Sequence, residues 1–147
     1  MPIVGYYMDK ILAKKTGLPK GRVDIKSGSK IVSIEKTKTG IKKKEDSLAI
    51  TYEFKTMYEP GIGEIKMRGR LIYVGDDVDK GLKMWNDKKE IPGSIEVEVK
   101  NFLFRKCLGA GITISENMNL PPPVFFPMVS KRPTKKEISK DDLRYIG

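Results

Sequence analysis

The chain has no histidine, no glutamine and a single cysteine, Cys107. Losing histidine removes the commonest general base and metal ligand, and with it a hydrolytic triad of the usual kind. A lone thiol cannot close an internal disulfide. Cys107 also sits in an apolar stretch with no activating neighbour in sequence, which marks a buried inert thiol rather than a nucleophile. No cluster has zinc-ligand spacing. Ser27-Gly28-Ser29-Lys30 has the composition of a phosphate loop but not the spacing Gly-x-x-x-x-Gly-Lys-Ser/Thr. No apolar run approaches the roughly 18 residues that cross a bilayer. Met1-Pro2-Ile3 does not open a basic region followed by a long apolar stretch, so no secretory leader and no membrane insertion are expected, and a cytoplasmic location follows. These absences predict a protein that is not an enzyme and needs no cofactor or metal.

What is present is charge. Of 147 residues, 33% are charged and 39% hydrophobic, which suits a single core beneath a highly ionic surface. Lysine, glutamate and isoleucine are abundant, a bias shared with proteins that work hot. The formal net charge is +10, which favours acidic partners, nucleic acid among them. The excess is spread over small clusters, Lys14-Lys15, Lys42-Lys43-Lys44, Lys131-Arg132 and Lys135-Lys136, each of which reads first as a solvated surface.

Periodicity places the elements. Val4 to Ala13 reads as a strand whose alternation is blurred at Asp9 and Lys10. Val23 to Glu35 is a second extended piece, interrupted at Ser27-Gly28-Ser29. Lysine-rich residues from Gly40 to Asp46 make a turn. From Leu48 to Lys55 large apolar residues occupy every second position, and Glu64 to Val74 alternates again beyond Glu59-Pro60-Gly61-Ile62-Gly63. Two such runs around a Pro-Gly turn predict an antiparallel hairpin within a larger meander. Asp77 or Asp79 is expected to cap a short helix running through Lys88, rather than to bind metal.

A long helix comes after Pro92-Gly93, with Ser94 its expected N-cap and Glu96 and Glu98 near the positive end of its dipole. The alternation Ile95-Val97-Val99 also allows the helix to begin several residues later. Ile95, Val99, Phe102, Cys107, Ala110 and Ile114 form one stripe; Phe104, Leu108 and Ile112 form a neighbouring one. Gly109 and Gly111 each cost about 1 kcal/mol relative to alanine in a helix. Such a cost is tolerated where another backbone comes close, from a second subunit or from the chain's own sheet. Pro121-Pro122-Pro123 ends the helix and holds an extended exit, because proline fixes φ and lacks an N–H. Phe125, Phe126 and Met128 stand immediately beyond. Either they pack on the core or they form an apolar surface that needs a partner. Residues 1–130 are read as the folded domain; residues 131–147 are a basic tail in which Glu137 to Ile146 forms a loose helix or stays mobile.

Strands first, then two helices, then an Asn-Leu-x-Pro-type exit: in this order the chain resembles the SecB-like export chaperones. Met118-Asn119-Leu120-Pro121-Pro122 is similar to that family's Leu-Asn-Leu-x-Pro. Tyr7-Met8-Asp9-Lys10-Ile11 resembles its first strand, and the paired strands Leu48 to Met57 and Glu64 to Val74 its central hairpin. The resemblance spans residues 4–126. It implies an α+β fold with a four-stranded antiparallel sheet and a long and a short helix on one side. It also implies dimers or tetramers, and ATP-independent holding of unfolded or nascent polypeptides in apolar grooves. By that analogy the polypeptide-binding residues would be Phe125, Phe126 and Met128, with Tyr6, Tyr7, Tyr52 and Tyr58 as weaker candidates; alternation alone puts Tyr52 in the core. Bacterial members are acidic and contact a motor ATPase partly through a C-terminal metal-binding segment. This chain is basic and its tail carries no such ligands, so holdase activity rather than coupling to a motor is the expectation.

Two other readings stay open. Aromatic and basic residues on neighbouring strands, Tyr52 and Tyr73 with Lys66, Arg68 and Arg70, could stack and neutralise nucleic acid. An apolar patch could instead serve one dedicated partner, such as an antitoxin.

Overall fold

Alternation fixes the centre of the molecule. In strand β3 (Glu45–Glu59), Leu48, Ile50, Tyr52, Phe54, Thr56 and Tyr58 are buried while the residues between them are partly exposed. In β4 (Gly63–Tyr73), Ile65, Met67, Leu71 and Tyr73 are buried, with Arg68 and Arg70 in solvent. Side chains two apart share a sheet face, so both strands bury one face and wet the other. They pair in unbroken antiparallel register from Leu48 opposite Tyr73 to Tyr58 opposite Gly63. The computed structural model describes residues 3–40, 45–127 and 129–131.

Strand β1 (Ile3–Lys15) pairs with β4 and β2 (Asp24–Thr39) pairs with β3, giving a four-stranded antiparallel sheet in the order β1-β4-β3-β2. Helices α1 (Val78–Lys88) and α2 (Gly93–Asn117) complete an α+β fold. Both lie on the buried face. A methyl group at Gly81 of α1 would stand 2.8 Å from Ile95 Cδ1 of α2 and 3.2 Å from Leu48 Cδ1 of β3.

Strand irregularities have identifiable causes. The pairs Met8–Gly69 and Lys10–Arg68 leave Asp9 as an extra residue in β1, and this bulge is what blurs the alternation there. Gly69 opposite the bulge is obligatory in size, because a Cβ there would collide with the Tyr7 carbonyl and lie 2.9 Å from Met8 Cα. Strand β2 runs unbroken through Ser27-Gly28-Ser29, contrary to the expected interruption. Ser27 faces inward and its hydroxyl meets that of buried Thr56 at 2.9 Å, so the polar run is part of the ladder and not a phosphate loop.

Neither helix has a side-chain cap hydrogen bond. Asp77 occupies the N-cap position of α1 without a side-chain bond to the helix. Pro92, not Ser94, occupies that of α2. Instead the Ser94 hydroxyl donates to Asp77 Oδ2 at 2.9 Å, and the Tyr73 hydroxyl donates to Asp77 Oδ1 at 3.0 Å. One carboxylate thus ties the end of β4 to the first turn of α2.

Helix α2 buries Ile95, Val99, Leu103, Cys107, Gly111 and Ser115. Phe102, Ala110 and Ile114, expected on the main stripe, are only partly buried. A four-residue repeat turns about 40° per step around an α-helix, so the buried line winds as the helix crosses a twisted sheet. The helix also stops before the prolines. Asn119 adopts the left-handed conformation (φ 54°), with Leu120 N–H donating to Ser115 O at 2.9 Å and Asn119 N–H to Glu116 O at 3.2 Å. That hydrogen-bond pair and buried Leu120 form a Schellman terminus, and the prolines hold only the exit segment beyond it.

Candidate functional site

The exit segment is anchored at two points. Tyr58, at the end of β3, donates its hydroxyl to the Pro121 carbonyl at 2.7 Å. Pro123 packs where a side chain on Gly111 would be, 3.2 Å from an ideal Cβ, with Met67 Cε at 3.8 Å. The chain's own exit therefore accounts for Gly111; Gly109 has open space and no such reason. Beyond Val124 the anchoring ends. Phe125 is fully exposed, Phe126 is 51% exposed and Val129 is fully exposed. Met128 lies outside the described residues, as does the tail from residue 132.

The tyrosines do not gather with them. Tyr6 points to the core face of β1 opposite Leu71, stacked on Tyr52 (5.8 Å, 12°) and edge-on to Phe102 (5.4 Å, 64°). Its hydroxyl is 3.7 Å from Cys107 Sγ. Burial holds the Tyr6 phenol far above its ordinary range and pushes Tyr52 up to about 12. Burial raises the Cys107 thiol as well. All three stay protonated at neutral pH, which suits an interior cluster joining β1 to α2. Tyr7, the next residue, faces the opposite side of the sheet, 53% exposed, with the Arg70 guanidinium 5.8 Å from its ring. Tyr58 is 1% exposed. A surface role for Tyr58 is corrected to an anchoring one, because its ring fills the core and its hydroxyl is spent on Pro121.

Tyr52 and Tyr73 are buried on the helix-covered face, whereas Lys66, Arg68 and Arg70 alternate onto the other. Those pairs therefore cannot act together on a stacked base.

Apolar surface occurs elsewhere too. Phe104 is 36% exposed and edge-on to Phe54 (5.5 Å, 90°), with Leu108 and Ile112 continuing on the same flank of α2. The sequence signal was the width of the helix's apolar face, which exceeds the single line that the sheet covers. Ile11, 51% exposed, and Leu12 add apolar surface on β1. A cleft of about 570 Å³ opens between β2 and the helix junction, lined by Ile31, Trp85, Ile91 and Val99 with Lys89 and Lys100 at its margin.

Comparison with protein-family models, curated proteins and solved structures finds no match. The site must be read from its own chemistry. Among the described residues no three His, Cys, Asp or Glu side chains come together as metal ligands, and no helix is long and apolar enough to cross a membrane. What the arrangement offers is apolar contact: two exposed aromatic rings just beyond an anchored segment, and further exposed apolar side chains elsewhere on the surface.

Proposed function

We propose that this protein is an ATP-independent holdase, a homo-oligomer that binds unfolded or non-native polypeptides through exposed apolar surface. The observation that supports this reading is the exposure of Phe125 and Phe126 directly beyond a segment fixed by Tyr58 and Gly111. Two large rings left in water cost folding free energy that burial would recover, at about 25 cal/mol per Å². A surface of this kind is explained by a partner that covers it. Flat rings adapt to clients of many shapes, because their contacts require no directional hydrogen bond. The resemblance to the SecB-like export chaperones points the same way.

The test is suppression of aggregation. The purified oligomer is mixed with several chemically unfolded clients at stoichiometric ratios without nucleotide. It should keep them from scattering light, and failure on every client overturns the reading. Phe125→Ser with Phe126→Ser should retain the fold and oligomer while losing most client binding. Loss of folding in that variant would instead place the rings in a core. If the protein recovers one stoichiometric partner from its native extract and holds no client, it is a dedicated interaction subunit.

A further inference from the structure

The sheet face turned away from α1 and α2 carries an arrangement of charge that holding apolar clients does not require. Pairing places Tyr7 opposite Arg70, Lys10 opposite Arg68, Leu12 opposite Lys66 and Lys14 opposite Glu64 on β1 and β4. On the other side of β4, Lys66 stands opposite Lys55 and Arg68 opposite Glu53. Two like-charge cross-strand pairs, Lys10–Arg68 and Lys66–Lys55, thus occupy adjacent rungs of one face. Like charges directly opposite each other destabilise a sheet.

Local carboxylates answer only part of this charge. Asp9 takes Arg70 at 3.2 Å and Glu64 takes Lys55 at 3.5 Å. Among the described residues, no carboxylate lies within ion-pair distance of Lys10, Lys14, Lys66 or Arg68. These four cations occupy neighbouring positions on two adjacent strands. Successive outward residues on a strand are about 7 Å apart and neighbouring strands about 5 Å. The cations therefore form a track running along the strands, with the exposed ring of Tyr7 at one end.

We propose that this track binds the phosphate backbone of single-stranded nucleic acid, with Tyr7 as a stacking platform for a base. Three observations favour that occupant. The four cations without an ion pair fall on three successive rungs of two adjacent strands, an elongated arrangement that fits a polyanion with a charge at every repeat. An exposed aromatic ring terminates the line, and base stacking on aromatic rings is the usual companion of a cationic track. Among the described residues no helix lies over this face, so splayed bases can lie across Leu12 and Tyr7 without entering a groove. The proposal uses neither Phe125 nor Phe126 and does not depend on the holdase reading.

The experiment is fluorescence anisotropy of a labelled 12-nucleotide oligouridylate with the full-length protein across a salt series. Neutralising about three or four phosphates on a single strand should give a log–log salt slope near −2 to −3. Lys66→Glu with Arg68→Glu should weaken binding at least tenfold and flatten the slope. Lys83→Glu with Lys88→Glu on α1 makes the same change in net charge away from the track and should have little effect. Tyr7→Ala should weaken binding several-fold at an unchanged slope. The proposal fails if the native protein does not bind at low salt, or if the two charge-reversed variants lose affinity equally. It also fails if polyglutamate of equal charge displaces the RNA as well as unlabelled RNA does, since the face would then belong to an acidic polypeptide. Circular dichroism of each variant establishes that the fold is kept.

Discussion

The hydroxyl of Tyr58 donates to the carbonyl of Pro121 at 2.7 Å, joining the end of β3 to the segment that carries the exposed phenylalanines. Proline at 121, 122 and 123 supplies no backbone N–H there, so the segment must be held through its carbonyls and ring contacts. Tyr58→Phe keeps the ring and deletes one neutral hydrogen bond, worth about 1 kcal/mol. In a chain of this size the melting temperature should fall by about 2–4 °C. Limited proteolysis at Phe125 should accelerate further than global destabilisation explains. Unchanged cleavage would show that the bond does not hold the exit.

Gly109 and Gly111 should respond in opposite directions. A Cβ at Gly109 meets nothing within 4 Å, so Gly109→Ala should gain up to about 1 kcal/mol of helix propensity and raise the melting temperature. At Gly111 the new methyl would press Pro123 Cγ at 3.2 Å, and a larger Gly111→Val side chain must displace the exit or the helix. Urea unfolding checks both, with a loss of about 1–3 kcal/mol expected for valine. Equal stabilisation by alanine at both positions would remove Pro123 as the reason for Gly111.

Gly69 is the most closely confined of the sheet's glycines. A Cβ there would collide with the Tyr7 carbonyl and stand 2.8 Å from the Tyr52 hydroxyl. Gly69→Ala should therefore loosen β1 from β4 at a cost of about 1–3 kcal/mol. Hydrogen exchange localises the effect: amides of β1 should lose protection while those paired between β3 and β4 keep theirs. Uniform loss across the sheet would argue against a local clash.

Stability should decline in alkali. Burial is the leading cause in pushing Tyr52 and Tyr73 from 10.0 up to about 12, and in raising Tyr6 and Cys107 as well. Tyr73 is raised further by its bond to Asp77. An unfolded chain releases these protons at lower pH than the folded one. The stabilisation is complete below the ordinary thiol value of 9.0 and falls as pH rises through about 12. Urea midpoints at pH 7, 9 and 11 measure it, and Tyr52→Phe should make the decline shallower.

Much of this fold is legible in the sequence because β3 and β4 have one dry face and one wet face, and period-two alternation reports that directly. The first strand is harder to read because its extra residue at Asp9 shifts the parity, and a bulge is set by what it faces, here Gly69. The helix caps escape local reading for a related reason. Asp77 and Ser94 are good capping residues, but across seventeen positions they bond each other, a tertiary fact invisible to local propensity. At the candidate site, three prolines announce a fixed exit, yet the actual helix stop is the left-handed turn at Asn119. Whether an aromatic ring beyond such an exit turns inward depends on where the segment is anchored. Tyr58, on a strand far away in sequence, sets one of those anchors.

Every extra residue in the sheet belongs to an outer strand: Val4 and Asp9 in β1, Val32 in β2, and none in the central pair. Outer strands present unpaired backbone groups, and a long straight one is a template for endless side-by-side growth. Kinks at both margins limit the length over which another strand can align, and β1 carries lysines at 10, 14 and 15 along the same margin. A molecule that keeps aromatic rings in water thereby lowers its own risk of ribbon-like self-aggregation.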